Sequence, residues 1–299
     1  MSQNRTKRVP IVSGLFYPSN PDELSNIIDK YLNDIDKNDI RNKIIEQTSL
    51  NIKELKPLVI IAPHAGYMFS GKIQAYSYKV VSEYKYDSII IIGIAHQRQF
   101  KGISVNMDSE YETPLGTVKV NFEFANELKN FDKKIITVEE AHLQEHSVEV
   151  QLPYIQKLFP SSTIVPILFG EQYYEYSELL YNALNSTLNK LSGSYLFIIT
   201  TDLSHYHNYL DAKNLDETFI SDLKEMKEKR LYTHVKEKKC EACCYAGVIT
   251  GMMISKNMGK GRIAILEYAD SGKITGDRRR VVGYLSAVLF WYNNLYFLN

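Results

Sequence analysis

The chain has 299 residues, 44% of them hydrophobic and 23% charged, the balance of a globular protein with a sizeable core. Its 35 basic residues offset 35 acidic ones, so no excess charge points to nucleic acid or to an anionic membrane surface. No apolar run reaches the ~18–20 residues of a membrane span, and the polar, basic residues 1–8 do not read as a secretory signal.

Along the chain, apolar β-branched runs alternate with segments of helical period, the signature of an α/β fold. Residues 22–34 predict a helix. The charged, Asn-rich stretch 34–56 reads as a surface excursion before the first core strand, 58–62. A helix over 72–82 and a buried strand over 88–92 complete a βαβ unit, so its two strands are expected to be parallel and adjacent. Alternating pieces at 102–105 and 116–120, with Thr113-Pro114-Leu115-Gly116 between them, read as a hairpin. Helices follow at 122–128 and 146–159, and Pro153 inside the second predicts a kink or break. Strands at 163–169 and 195–200 flank a helix at 177–191. Helices at 214–229 and 245–256 and strands at 263–267 and 281–290 close the chain. The expected architecture is a single α/β domain over 1–299, with a central, largely parallel or mixed sheet flanked by helices. The aromatic tail 291–299 is expected to pack on the body or on a second copy of the chain.

Chemistry concentrates in four islands that carry histidine just past an apolar, β-rich run. They are Ala62-Pro63-His64-Ala65-Gly66-Tyr67, Gly93-Ile94-Ala95-His96-Gln97, Glu145-His146-Ser147-Val148-Glu149 and Thr201-Asp202-Leu203-Ser204-His205. In an open α/β sheet, ligands bind outside the carboxyl ends of the strands. His64 and His96 occupy matched positions of one βαβ unit, and two neutral imidazoles so placed suit a first-row transition metal. Either one alone reads better as a loop cap. Around His64, Pro63 stiffens the loop, Gly66 allows close backbone approach and Tyr67 offers a hydroxyl donor.

Asp202 and His205, three apart after a strand, are candidates for acid–base work, although Asp202 also suits the N-cap of a turn. If the run 139–151 is helical, His142, His146 and Glu149 share one face, either a solvated helix start or a pocket wall supporting a site. Cys240, Cys243 and Cys244 crowd into one segment. That is no disulfide framework, so a reducing cytoplasm is the expected location. A thiol at a helix N-terminus tends toward thiolate, as ligand or nucleophile, and Cys-x-x-Cys also suggests a redox pair. Arg278-Arg279-Arg280, the only dense basic cluster, reads as a solvated loop.

Taken in order with Arg8-Val9-Pro10-Ile11-Val12-Ser13-Gly14-Leu15-Phe16-Tyr17-Pro18, Glu112-Thr113-Pro114-Leu115-Gly116 and Tyr268-Ala269-Asp270-Ser271-Gly272, these islands resemble the Memo family, also called AmmeMemoRadiSam system protein B. The resemblance runs nearly end to end. It implies a fold similar to class III extradiol ring-cleaving dioxygenases and a pocket of two His and a Cys, with an Asp and a further His nearby. Carried onto this chain, the metal ligands would be His64, His96 and Cys240, and the catalytic pair Asp202 and His205. Tyr67, His146 and Glu149 stand beside them as pocket residues.

The family has a glycine-rich, proline-containing turn after its Cys, where this chain has Glu241, Cys243 and Cys244. Cys243 and Glu241 are therefore alternatives for the third ligand. The implied cofactor is one transition-metal ion, with iron or copper expected before zinc, and all three before magnesium at a thiolate site. The implied function is redox or oxygenase-like chemistry, in a pathway shared with a radical-SAM protein and an AMMECR1-domain protein. The competing expectation is a non-catalytic adaptor that holds a metal, a peptide or a small ligand in a relic dioxygenase pocket.

Overall fold

The computed structural model describes residues 7–50, 55–257 and 261–292; most of the expected aromatic tail, 293–299, lies outside them. The first third of the chain forms β1 (Lys7–Arg8), α1 (Pro21–Asn33), α2 (Lys37–Thr48), β2 (Leu55–Ala62), α3 (Lys72–Val81) and β3 (Ser88–Ile94). The middle forms β4 (Ile103–Val105), β5 (Glu110–Thr113), β6 (Gly116–Lys119), α4 (Phe122–Lys129), β7 (Ile135–Ile136), α5 (Glu139–Leu143), α6 (His146–Glu149), α7 (Leu152–Leu158) and β8 (Thr163–Phe169). The last third forms α8 (Tyr174–Lys190), β9 (Tyr195–Thr200), β10 (His205–His207), α9 (Tyr209–Lys224), α10 (Glu228–Lys236), α11 (Tyr245–Asn257), β11 (Arg262–Asp270), α12 (Gly272–Thr275) and β12 (Val281–Tyr292).

Among the described residues nine strands make one mixed sheet in the order β10-β12-β2-β9-β3-β8-β4-β7, with β11 added on β12. Its centre, β2-β9-β3-β8, is parallel, and β12 runs antiparallel to both β2 and β11. The chain is thus the expected mixed α/β domain with helices on both faces of the sheet. Val59, Ile61, Ile90 and Ile92 face one core with α4, α8 and α11. Their alternates Ile60, Ile89 and Ile91 face the other with α1, α2, α3 and α7, as the two-residue side-chain period of a strand requires. α11 is buried from Ala246 to Ser255 without a break, so it has no solvent face.

Several expectations are corrected. β2 and β3 are not adjacent, because β9 lies between them and is parallel to both. A strand covered on both faces belongs mid-sheet wherever it falls in the chain, and β9 is buried from Leu196 to Thr200. The expected hairpin is also re-paired: β5 and β6 close the turn at Thr113↔Gly116, while β4 adds antiparallel to β8. The excursion at 34–56 contains α2, capped by Asp36. Ile40 and Ile44 of α2 are buried, and Gln47 exchanges two hydrogen bonds with the backbone of Ile265. The helix expected over 146–159 splits into α6 and α7, with Pro153 in the first turn of α7, where its missing N–H breaks no bond.

The N-terminal segment is tied down by one buried ion pair. Arg8 has no exposed surface; its guanidinium pairs with Glu149 and donates to the carbonyls of His142 (3.3 Å) and Glu145 (2.7 Å). The Glu149 carboxylate also accepts from the backbone N–H groups of Ile11 (3.0 Å) and Val12 (3.0 Å) and from the Tyr17 hydroxyl (2.6 Å). Removing one partner strands the other charge in the interior. Arg8→Ala is expected to cost about 3–5 kcal/mol of unfolding free energy, read from urea denaturation; a loss near zero would show that the pair does not anchor the segment.

Candidate metal centre

The parallel strands deliver their carboxyl ends to one edge of the sheet. His64 follows β2, His96 follows β3, and Asp202 follows β9. Gly93 in β3 makes room for the remaining element. A Cβ there would stand 2.6 Å from Ser147 Oγ and 3.1 Å from Thr200 Cγ2, so glycine leaves these two side chains the room they occupy where α6 meets the strand ends. With α6 comes His146. The His64 and His96 rings lie 5.2 Å apart, His64 and His146 5.5 Å, and His96 and His146 stack at 4.6 Å. One donor atom from each of the three lies within 4.8 Å of the others.

Hydrogen bonds set the tautomers. The Thr200 hydroxyl donates to the Ser147 carbonyl (3.0 Å) and accepts from Gln151 Nε2 (2.9 Å). Its one proton is committed, so toward His64 Nδ1, at 3.0 Å, it can only accept. His64 therefore carries its proton on Nδ1 and keeps the Nε2 lone pair. Glu145 does the same for His96: Oε1 accepts Nδ1–H at 2.8 Å, and Oε2 accepts the backbone N–H at 2.6 Å. Such carboxylate and hydroxyl partners fix ring orientation and raise donor strength at metal-binding histidines.

Charge within the group is uneven. Burial, then the neighbouring His96, His146 and His205, hold the His64 pKa well below 6.5. Burial also lowers that of His146, against the pull of Glu145. At His96 burial opposes the imidazolium, but the hydrogen bond and charge of Glu145, with the charge of Asp202, prevail and raise its pKa. Asp202 accepts the His64 backbone N–H at 2.8 Å. Burial raises its pKa from 3.8 to about 6, against that bond and the charges of His205 and His96. His205 donates Nδ1–H to the Leu203 carbonyl at 2.8 Å, which leaves Nε2 as an acceptor 3.7 Å from Cys243 Sγ.

Other expected site residues stand elsewhere. Cys240 does not belong to the three-donor group; His146 does. Cys240 is buried in the core that α9, α10 and α11 share. Burial, then the charges of Asp222, Glu241 and Asp216, push its thiol up to about 12. The cysteine on the pocket side is Cys243, whose thiol is raised by burial and then by Asp202. The depressed thiol expected of a helix N-terminus is thus reversed, because burial and nearby carboxylates outweigh the helix end. Glu241 bonds His207 Nε2 at 3.0 Å. Glu149 faces Arg8 rather than the pocket, and Tyr67 is a buried strut whose hydroxyl donates to the Val150 carbonyl at 2.9 Å. His142 turns away to Ser104 Oγ, at 3.0 Å. Sequence reasoning passed over Thr200, Glu145 and Gln151. A hydroxyl ending an apolar strand and a carboxylate preceding a helical histidine were the available signals.

Fold and site together define a mixed α/β protein with a three-histidine group at the carboxyl ends of its parallel strands. A family model described as Memo-like protein matches residues 8–288, and the chain belongs to the Memo family. A MEMO1 family protein of Methanocaldococcus jannaschii is 37% identical over 291 residues, covering 94% of this chain and 98% of its own. One of Thermotoga petrophila is 34% identical, covering 95% and 100%. Among solved structures, an uncharacterized protein of Escherichia coli K12 superposes with a TM-score of 0.52 at 11% identity, over 78% of this chain and 99% of its own. That likeness is one of fold.

The raised pKa of Asp202 makes its ionisation unfavourable to the metal-free fold. The folded acid holds its proton more tightly than the unfolded one, so the cost is absent below about pH 4 and complete above about pH 6. Chelator-treated Asp202→Asn is expected to be more stable than the native chain at about pH 8, by up to about 3 kcal/mol, with the gain shrinking toward about pH 4. Thermal unfolding across that range checks it; a gain that grows as pH falls contradicts the assignment.

Proposed function

We propose that this Memo protein holds one transition-metal ion at His64, His96 and His146 and uses it for redox or oxygenase-like chemistry. The observation that carries the reading is tautomer control. Two imidazoles have Nδ1–H engaged by Thr200 and Glu145, which leaves their Nε2 lone pairs available, and one ring nitrogen from each of the three histidines lies within 4.8 Å of the others. Largely neutral imidazoles suit iron, copper or zinc and are poor hosts for magnesium; the oxygenase-like reading favours iron or copper. When bound, such an ion supplies Lewis acidity or a redox partner for an oxygen-bearing ligand.

The chain's own residues supply the proton handling. Asp202, with its pKa at about 6, can exchange a proton near neutral pH, where general acid–base groups work best. His205 presents Nε2 as an acceptor. Both line one cleft of ≈ 570 Å³, the size of a small-molecule site. Leu15 and Met68, on the lip of that cleft, are exposed. They support a second reading, a non-catalytic adaptor that holds a peptide or small ligand.

A place beside radical-SAM and AMMECR1-domain proteins is supported by the family resemblance. A cytoplasmic location is supported by three free cysteines. Among the described residues no helix is long and apolar enough to cross a membrane.

Protein purified anaerobically is expected to carry about one transition-metal ion per chain. His64→Ala, His96→Ala and His146→Ala are each expected to lose it, and Cys240→Ser to keep it, by plasma mass spectrometry. Thr200→Val, folded by circular dichroism, is expected to bind the ion about 10–100-fold more weakly. Full occupancy in the three histidine variants would remove the site. If loaded protein binds ligands in the cleft but consumes no O2 with any of them, the adaptor reading replaces the oxygenase-like one.

A further inference from the structure

The three arginines of the 278–280 triplet have different surroundings. Arg279 pairs with Asp277 at 2.7 Å, and the Arg278 guanidinium lies 4.9 Å over the Tyr209 ring. Arg280 lies over Tyr206, 5.0 Å from the ring centroid, in the lining of the cleft that holds Asp202 and His205. Among the described residues no carboxylate lies within ion-pair distance of Arg280. Stacking uses the flat face of a guanidinium and leaves the N–H donors along its edge free for a bidentate carboxylate. Of the three arginines only Arg280 lines the cleft, whose carboxylates are Asp277, already paired with Arg279, and Asp202.

Tyr206 itself is unusual. Its φ is +62°, a region that a bulky aromatic residue rarely enters. Between β10 and β12 the register runs His205↔Val282 and His207↔Val281, so Tyr206 is the extra residue of a bulge. Bulges re-aim side chains beside functional sites. The ring it presents is 63% exposed and stands 5.7 Å from that of His205. No core is gained from that placement, and a strained backbone that holds an exposed ring at a cleft points to a ligand contact. Leu15 and Met68, 79% and 67% exposed, line the same cleft.

We propose that Tyr206 and Arg280 form the recognition arm of this cleft and that its ligand is an organic acid. The carboxylate meets the Arg280 edge, the apolar body lies along Tyr206, Leu15 and Met68, and the far end reaches Asp202 and His205. The proposal rests on the three-histidine reading only where it makes that acid a substrate; binding by the arm needs no metal.

The test is calorimetric titration of 4-phenylbutyrate and its primary amide into chelator-treated and metal-loaded protein. The acid is expected to bind about ten-fold or more tightly than the amide in both, and Arg280→Gln to erase that preference. Tyr206→Gly is expected to weaken acid binding while unfolding at the same or a higher temperature, because glycine adopts this φ freely. No binding of the acid, equal affinity for acid and amide, or an unchanged preference in Arg280→Gln overturns the arm. Undiminished acid binding by Tyr206→Gly overturns the part given to the tyrosine. Loss of the metal site with the acid preference intact defeats the reactive-centre reading and upholds this one.

Discussion

The short segment 145–151, seated on the carboxyl ends of β3 and β9, is the constraint on which the site depends. Glu145 holds His96 by ring and backbone and accepts the Ser147 N–H that starts α6. The Ser147 carbonyl takes the Thr200 proton, and Gln151 donates to Thr200 and to the Pro63 carbonyl. Glu149, on the same turn, receives Arg8 and with it the N-terminal segment. A Cβ at position 93 would press on the Ser147 and Thr200 side chains within this network. The same segment carries His146 to His64 and His96 and, through Thr200, sets which nitrogen of His64 bears the proton.

Electrostatics in the metal-free fold keeps the three-histidine group from being fully protonated. Two unit charges ~5 Å apart repel by roughly 3 kcal/mol at an effective dielectric of ~20. Three imidazoles at ring separations of 4.6–5.5 Å therefore cannot all be protonated, and burial drives His64 and His146 toward the neutral form. Only His96, bonded to Glu145, resists. The cysteines face the opposite problem. Burial and neighbouring carboxylates hold the thiols of Cys240 and Cys244 up at about 12, so neither ionises readily. Burial, which favours neutral imidazoles, works against thiolates.

The core strands were legible because runs such as Ser88–Ile94 are apolar at every position that must be covered on both faces. Their order was not, since β2, β3 and β9 are chemically alike and nothing local says which lies in the middle. α2 escaped notice because its buried residues, Ile40 and Ile44, sit within a strongly polar stretch. At the site, His64 and His96 were visible from their position after strands. The i, i+3 rule coupled His146 to Glu149, but in the folded chain His146 faces the other histidines while Glu149 turns to Arg8. Thr200 gave little sign of its role, because a hydroxyl's proton direction depends on Ser147 and Gln151, both distant in sequence. Cys240 was placed by resemblance, which did not report the carboxylates that surround it in space.

X-ray absorption at the edge of the metal in the loaded protein tests the three-histidine centre most directly. The predicted first shell contains imidazole nitrogens at about 2.0–2.1 Å, with the outer-shell scattering of ring carbons and no sulfur. His146→Ala should remove one of those rings from the pattern. A sulfur scatterer at about 2.3 Å, or a shell that His146→Ala leaves unchanged, would contradict the account.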